Sequence, residues 1–353
     1  MNQLISSGYN IYFDNTLSSL ETFLAENSYS KIFIVTDENT GEHCLPLLQK
    51  KLPKLDHFDI IEIPHGEENK NIDFCIGIWK MLLDFEADRN ALVINLGGGV
   101  VTDMGSFAAS TYKRGIDFLQ IPTTLLSQVD ASVGGKTGID IDNVKNIIGT
   151  FSQPKAVIIC NEFLDTLPDR QVTSGFAEVI KHGIIADKKY YEEIIKLSSP
   201  KDITIEQIQH SIEIKNKVVL EDPFEKGLRK ILNFGHTIGH AVESWSLEND
   251  NTPLTHGEAI AIGMITEAYI SNKIDMLSDD NLNTIKSDIL KFFPKYNLRS
   301  DIYDTLLEVM QHDKKNISGK INFSLPDEIG NCKFNIVVDQ QLIKDSLDFY
   351  RSL

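Results

Sequence analysis

The chain has 353 residues, 42% of them hydrophobic and 24% charged. That is ordinary globular usage, and a chain of this length buries enough surface to exclude disorder as its main state. With 51 Asp and Glu against 34 Lys and Arg the formal net charge is −17, which excludes a broad nucleic-acid or anionic-membrane surface, because such partners recruit Lys and Arg. A small anionic ligand is not excluded, since it senses a local site and not the net charge.

The opening Met1-Asn2-Gln3-Leu4-Ile5-Ser6 has no basic region and no long apolar stretch, so no secretory signal is expected. No apolar run approaches the ~18 residues of a membrane helix. Cys44, Cys75, Cys160 and Cys332 are far apart in sequence and form no Cys-x-x-Cys pair. They are expected to be reduced, buried small hydrophobes of a cytoplasmic protein.

In chain order, Lys31–Asp37 is a short apolar run and predicts a buried strand, and Phe58–Ile63 predicts a second. A helical pattern runs from about Asn71 to Phe85. Ala91–Leu96 is again strand-like and enters Gly97-Gly98-Gly99. Phe118–Ile121 predicts a strand that stops at Pro122, and Ala156–Cys160 a last buried one. Strands separated by helices imply βαβ units and a parallel sheet. Beyond Leu167-Pro168-Asp169 amphipathic helical periodicity dominates, as in Ile205–Val219 and Ala259–Lys273. The expected fold is α/β: a Rossmann-like parallel-sheet domain over residues 1–160, then an all-helical domain over residues 161–353, with the boundary near 155–170.

Leu96-Gly97-Gly98-Gly99-Val100-Val101-Thr102-Asp103 lies where a strand meets a helix. Glycines there let a phosphate approach the backbone, and a helix N-terminus offers free N–H groups. The Gly-x-Gly-x-x-Gly spacing fails, because Thr102 stands at the third position. A dinucleotide site and a plain tight turn both remain open. Residues 113–146 carry Lys113, Arg114, Lys136 and Lys145 against Asp117, Asp130, Asp140 and Asp142, four minus four, a locally neutral stretch. Gly134-Gly135-Lys136-Thr137 resembles the end of a P-loop, but Asp130 stands where its first glycine belongs, so a Walker loop is rejected. A Gly-Gly-Lys turn can still present N–H groups and an ammonium to an oxyanion.

His236 and His240 are four apart and share a helical face, with His256 further on. His-x-x-x-His with a distant third ligand is the pattern of a catalytic zinc site, yet Thr237 replaces the Glu of the peptidase motif. Earlier, Glu178, Lys181 and His182 share one helical face, and Glu178 is flanked by apolar residues. A buried carboxylate needs a cation or a metal. Packing histidines with a Glu178–Lys181 pair are the alternative, but both features in one helical domain favour a metal. Spacing does not tell which three of Glu178, His236, His240 and His256 are the ligands.

Taken together, these blocks resemble the sugar-phosphate cyclase family in its 3-dehydroquinate synthase branch. The resemblance runs from about Asp37 through Pro64–Lys70, the Gly97 triplet, Thr123–Lys145, Asn146–Pro154, Glu178–Gly183 and Gly227–Arg229 to His236, His240, His256 and Asp313-Lys314-Lys315. It implies an enzyme, a carbon-oxygen lyase of the shikimate pathway and so of aromatic amino acid biosynthesis. The substrate would be 3-deoxy-D-arabino-heptulosonate 7-phosphate, bound between the two domains. It would be turned into 3-dehydroquinate and phosphate by transient oxidation with NAD, phosphate elimination, re-reduction and intramolecular aldol closure at a divalent metal. By the same resemblance Glu178, His236 and His256 would bind zinc, with cobalt as a substitute, and His240 would face the substrate. Asp37, Asn39, Glu67, Lys70, Gly98, Gly99, Val100, Asp103, Thr123 and Thr124 would hold NAD, with Lys136 and Lys145 beside them. Asp130, Lys136, Asn146, Lys181, Lys215, Arg229, Asn233 and one of Lys314 or Lys315 would contact the substrate. The partners implied are one sugar-acid phosphate and a second copy of the chain, a homodimer in which Arg114 reaches the neighbouring phosphate. Thr102 and the acidic Ile139–Asn143 loop depart from the family pattern. Another sugar-phosphate cyclase, or a metal-dependent polyol dehydrogenase, is the alternative.

Overall fold

The computed structural model describes residues 2–141, 144–312 and 321–353. Two compact units, Met1–Pro168 and Asp169–Leu353, divide the chain. The first runs β1 (Asn2–Ile5), β2 (Asn10–Phe13), α1 (Ser18–Glu26), β3 (Ile32–Asp37), α2 (Glu38–His43), α3 (Leu45–Lys51), β4 (Asp59–Ile63) and α4 (Ile72–Asp84). It continues with β5 (Leu92–Gly97), α5 (Gly99–Thr111), β6 (Asp117–Pro122), β7 (Lys136–Ile141), β8 (Val144–Phe151) and β9 (Ala156–Ile159).

Seven of these strands form one sheet in the order β1-β2-β9-β6-β5-β3-β4. It is parallel except for β1, which pairs antiparallel with β2 at the edge. The apolar runs are explained by helices on both faces, which leave no solvent side to the central strands. Phe33, Val35 and Val93 pack with Cys75, Ile78 and Leu82 of α4 and with Val101, Met104 and Phe107 of α5. Their chain neighbours Ile34, Leu92 and Ile94 point the other way, into a cluster with Leu17 at the start of α1, Leu20 within it, and Leu45 and Leu48 of α3.

The Gly134-Gly135-Lys136 turn is shorter than its sequence suggests. Gly134 and Gly135 have φ of 104° and 65° and turn the chain. Lys136 already begins β7, which pairs antiparallel with β8. The strands approach closely at Gly149, where a Cβ would come within 2.0 Å of the Thr137 carbonyl oxygen. The Ile139–Asn143 loop is in part the end of β7; Asp142 and Asn143 lie outside the described residues.

The second unit contains α6 (Asp169–Ala186), α7 (Lys188–Ile194), α8 (Ile205–Glu221), α9 (His236–Asn249), α10 (His256–Lys273), α11 (Asp279–Phe292) and α12 (Tyr303–His312). A hairpin of β10 (Asn322–Glu328) and β11 (Asn331–Val337) follows, then α13 (Gln340–Ser352). The expectation of an all-helical domain needs correction: the unit is predominantly helical but carries this hairpin. The amphipathic reading of Ala259–Lys273 needs correction. Residues on every side of α10 are buried, from Gly257 through Ser271, because α6, α9, α11, α13 and β10 all pack against it. A helix so enclosed needs no polar face. Cys44, Cys75, Cys160 and Cys332 are unpaired and buried. Burial raises all four thiols, Cys44 and Cys160 to about 11 and Cys75 to about 12. Among the described residues no helix is long and apolar enough to cross a membrane.

Candidate active site

In the second unit α6, α9 and α10 bring four side chains to one point. Glu178 lies mid-way along α6 and is fully buried. The Lys181 ammonium, one turn on, pairs with its Oε2 and is itself 1% exposed. Its other oxygen, Oε1, faces His236 Nε2 at 3.5 Å and His256 Nε2 at 3.6 Å. Ligands bound at about 2.1 Å in a tetrahedral zinc site lie roughly 3.4 Å from one another. Each of these two nitrogens is therefore at ligand-to-ligand spacing from the carboxylate oxygen. The ring of His240 lies 5.0 Å from that of His236 and 5.8 Å from that of His256, and one ring nitrogen from each histidine lies within 4.8 Å of the others.

Both histidines that face Glu178 have their second nitrogen engaged. His236 Nδ1 lies 3.0 Å from the Phe234 carbonyl oxygen, and His256 Nδ1 lies 3.3 Å from Glu243 Oε2. Donation from Nδ1 selects the tautomer that offers Nε2 as a ligand. Burial alone would push the His256 imidazole down. Glu243 and Glu178 outweigh that and hold it up, to about 9.

Local chemistry sets these positions. Gly235 starts α9 with φ of 79°, and a Cβ there would meet Met264 at 2.6 Å. Gly263 on α10 is tighter still, since its Cβ would lie 1.8 Å from the Gly235 carbonyl oxygen. The buried Glu267 carboxylate of α10 accepts from the Gly235 N–H at 2.6 Å and the Ile238 N–H at 3.0 Å. These are free donors of the first turn of α9. At the start of α10, Thr255 and Glu258 form a capping box ahead of His256.

Lys215 and Arg229 are also buried in this unit, at 5% and 3% exposed. Arg229 Nη1 donates to the Pro223 carbonyl, and the Asp222 carboxylate accepts from the N–H groups of Lys226, Gly227 and Arg229, gathering the loop. Asn233 donates to Glu225 at 2.7 Å. Among the described residues the buried lysines and arginines are Lys70, Lys181, Lys215 and Arg229. Each was singled out from the sequence, and such residues are seldom buried without a partner.

In the first unit the residues expected to hold a dinucleotide lie beyond the carboxyl ends of neighbouring parallel strands. Asp37 ends β3, Gly98, Gly99, Val100 and Asp103 follow β5, Thr123 and Thr124 follow β6, and Glu67 and Lys70 follow β4. Chain order reverses between β3 and β5, the switch point where α/β sheets bind ligands. Gly98 N-caps α5, and a Cβ there would meet the Thr124 methyl at 3.0 Å, a tight fit for any side chain. Gly98, Gly99 and Val100 are partly exposed at this edge. Asp37 is occupied in part as the N-cap of α2, accepting from the Thr40 N–H, and Asn39 is exposed on that helix. Lys70 gathers the neighbourhood, donating to Asp103 at 2.6 Å and Asn146 at 2.8 Å, with Glu67 at 3.9 Å. Burial alone would lower its ammonium; Asp103, Glu67 and Asp140 hold it charged. Lys145 reaches Glu67 at 3.5 Å. Asn146 takes φ of 51°, and its N–H donates to Asp140. Asp130 sits in a π-helical turn, Ser127–Ala131, and Lys136 is exposed. Asp313, Lys314 and Lys315 lie outside the described residues.

Comparison with known proteins adds a family to this geometry. Residues 60–174 match the 3-dehydroquinate synthase N-terminal family, and residues 175–316 the 3-dehydroquinate synthase C-terminal family. A 3-dehydroquinate synthase of Parabacteroides distasonis is 42% identical over 337 residues, 95% of each chain. The chain belongs to the 3-dehydroquinate synthase family. Within the wider fold it is similar to a 2-deoxy-scyllo-inosose synthase complexed with carbaglucose-6-phosphate, NAD+ and Co2+, at a TM-score of 0.86, 24% identity and 99% coverage of both chains. It is also similar to 2-epi-5-epi-valiolone synthase from Streptomyces hygroscopicus with NAD+ and Zn2+ bound, at a TM-score of 0.83, 24% identity and coverage of 100% of this chain and 99% of that one. At that identity the likeness shows the shared fold.

Against the family pattern, Thr102 is fully buried and its hydroxyl donates to the Gly99 carbonyl, so it serves the helix start. Sequence reasoning missed Glu243, Glu267 and Asp222. Glu243 carried a usable signal, since it follows His236 by seven and His240 by three on the same helix face. Glu267 carried none, because its partners are backbone groups of another helix.

Proposed function

We propose that this chain is a 3-dehydroquinate synthase that converts 3-deoxy-D-arabino-heptulosonate 7-phosphate to 3-dehydroquinate and phosphate. The observation that carries the reading is the buried Glu178 carboxylate, faced by His236 Nε2 and His256 Nε2 and paired with buried Lys181. Glu178, His236 and His256 would hold a divalent metal, zinc or cobalt, and the carboxyl edge of the first unit's sheet NAD; when bound, the metal supplies a Lewis acid and template for substrate hydroxyls, and NAD a reversible hydride acceptor.

The chain's own residues supply the rest. Lys181, Lys215 and Arg229 are buried cations, and in a low-dielectric setting such groups clamp a phosphate and a carboxylate strongly. The Asp222 and Pro223 contacts hold Arg229 in one orientation. His240, beside the ligand histidines, hydrogen-bonds the substrate, and Asn233, Asn146, Asp130 and Lys136 orient it. Identity to the synthase at 42%, against 24% to the other cyclases, supports this branch. The chain is read as a cytoplasmic homodimer. Its four unpaired cysteines support the compartment, and exposed Arg114, held at φ of 71°, is the group offered to the second copy.

The test is release of inorganic phosphate from the heptulosonate phosphate, with and without NAD and with a chelator. Release that needs both NAD and metal, without net NADH, is expected. No release under any condition refutes the assignment, and NADH accumulating in step with turnover marks a polyol dehydrogenase instead.

A further inference from the structure

The two helices that carry the metal-ligand histidines exchange buried carboxylates. From α10, Glu267 holds the first N–H groups of α9. From α9, Glu243 returns to His256, the first residue of α10. Glu243 is 4% exposed and Glu267 fully buried. Gly235 and Gly263 let the two helix backbones approach closely, because an added Cβ at either would meet the opposite helix. Glu267 thus fixes where α9 begins, and two turns later Glu243 arrives at a set height opposite His256.

We propose that Glu243 is a positioning residue of the metal centre, one that nothing in the family comparison assigns. It accepts the Nδ1 hydrogen of His256 and so fixes both the ring orientation and the tautomer that presents Nε2 beside Glu178. His236 receives the same service from a backbone carbonyl, at Phe234, which a side-chain substitution cannot remove. His256 depends on a side chain and is the adjustable ligand of the set. Carboxylates in this relation to a ligand histidine are worth roughly 10–100-fold in metal affinity. The inference rests on the reading of Glu178, His236 and His256 as the ligands.

The experiment measures cobalt(II) affinity by competition with a chromophoric chelator, together with the visible absorption of the bound ion. It uses the full-length chain and its Glu243→Ala, Glu243→Gln and Glu178→Gln variants, each checked by circular dichroism. Glu243→Ala is expected to bind cobalt about 10–100-fold more weakly, with a changed absorption band. Glu243→Gln keeps an acceptor oxygen for Nδ1 and is expected to recover much of that loss. Glu178→Gln is expected to lose the ion. If Glu243→Ala binds cobalt as the parent does while Glu178→Gln does not, the positioning role is wrong and the ligand reading stands. If Glu178→Gln also binds normally, the ligand reading fails and the positioning role fails with it. Should Glu243→Ala not fold, Glu243→Leu, similar in size but with no acceptor for Nδ1, takes its place: a cobalt Kd within about threefold of the parent overturns the positioning role, and a loss of about 10-fold or more that Glu243→Gln largely recovers upholds it.

Discussion

At the scale of single residues, buried charge is what separates function from scaffold. Lys70 pairs with Asp103 and Asn146 in a place with little water to replace it. Removing one member of a buried pair strands the other, at about 3 kcal/mol or more. Lys70→Met is therefore expected to lose about 3 kcal/mol in denaturant unfolding, whereas an exposed pair such as Lys54–Glu21 should contribute well under 1 kcal/mol. Equal, small effects at both positions would show that solvent reaches Lys70. Much of this was legible in the sequence. Glu178 stood out because apolar residues flank it, and His236 and His240 because four residues return to the same helical face. Asn146 was named only through the family resemblance, because nothing in the sequence marks its left-handed backbone or its contacts with Lys70 and Asp140. The choice of nitrogen on His256 was not legible either, since it depends on a carboxylate from a neighbouring helix.

At the scale of elements, β3, β5, β6 and β9 were readable because they are largely buried apolar runs, and β4 less cleanly, whereas the short parallel strand β2 was not anticipated. Neither was the β7–β8 hairpin, since Ile147, Ile148 and Phe151 of β8 are exposed and glycines interrupt the pairing. In α10, burial on every side erased the helical period that marks a surface helix. The seam between α9 and α10 makes a prediction. On propensity alone Gly263→Ala would stabilise α10 by about 1 kcal/mol. The added Cβ would lie 1.8 Å from the Gly235 carbonyl oxygen, and overpacking of this kind costs typically 1–3 kcal/mol. The steric effect wins: the variant should melt at lower temperature and bind metal more weakly, and a more stable variant would mean that the helices can separate freely. The entry to α1 makes another. Asp14 accepts from the Thr16 and Ser19 N–H groups and from the Thr16 and Ser18 hydroxyls. Burial alone would raise its carboxyl; these hydrogen bonds outweigh it and bring it down to about 2 from an ordinary 3.8. A lowered folded-state value stabilises above the unfolded one and is lost as pH falls through the folded one. Stability from Asp14 should be complete above pH 4 and fade towards pH 2, so Asp14→Asn should show a shallower stability slope in that window. An unchanged slope would assign acid lability to other carboxylates.

At the scale of the whole molecule, the charge of −17 belongs largely to the solvated surface. Four cations turn inward among the described residues, Lys70 in the first unit and Lys181, Lys215 and Arg229 in the second. The sequence showed the imbalance and, through the family resemblance, named these cations; the fold shows them buried. The cysteines carry a different consequence. All four are buried, with thiols held well above neutrality, and the thiolate is the form that reacts. A disulfide reagent at neutral pH should therefore find almost no reactive sulfur in the folded chain and four equivalents after denaturation; rapid native labelling would show that one of these sites opens. The wild-type protein is thus already a silent background for site-directed labelling: a fluorophore or spin label on one introduced surface cysteine would report from that position alone, with no native cysteine removed first.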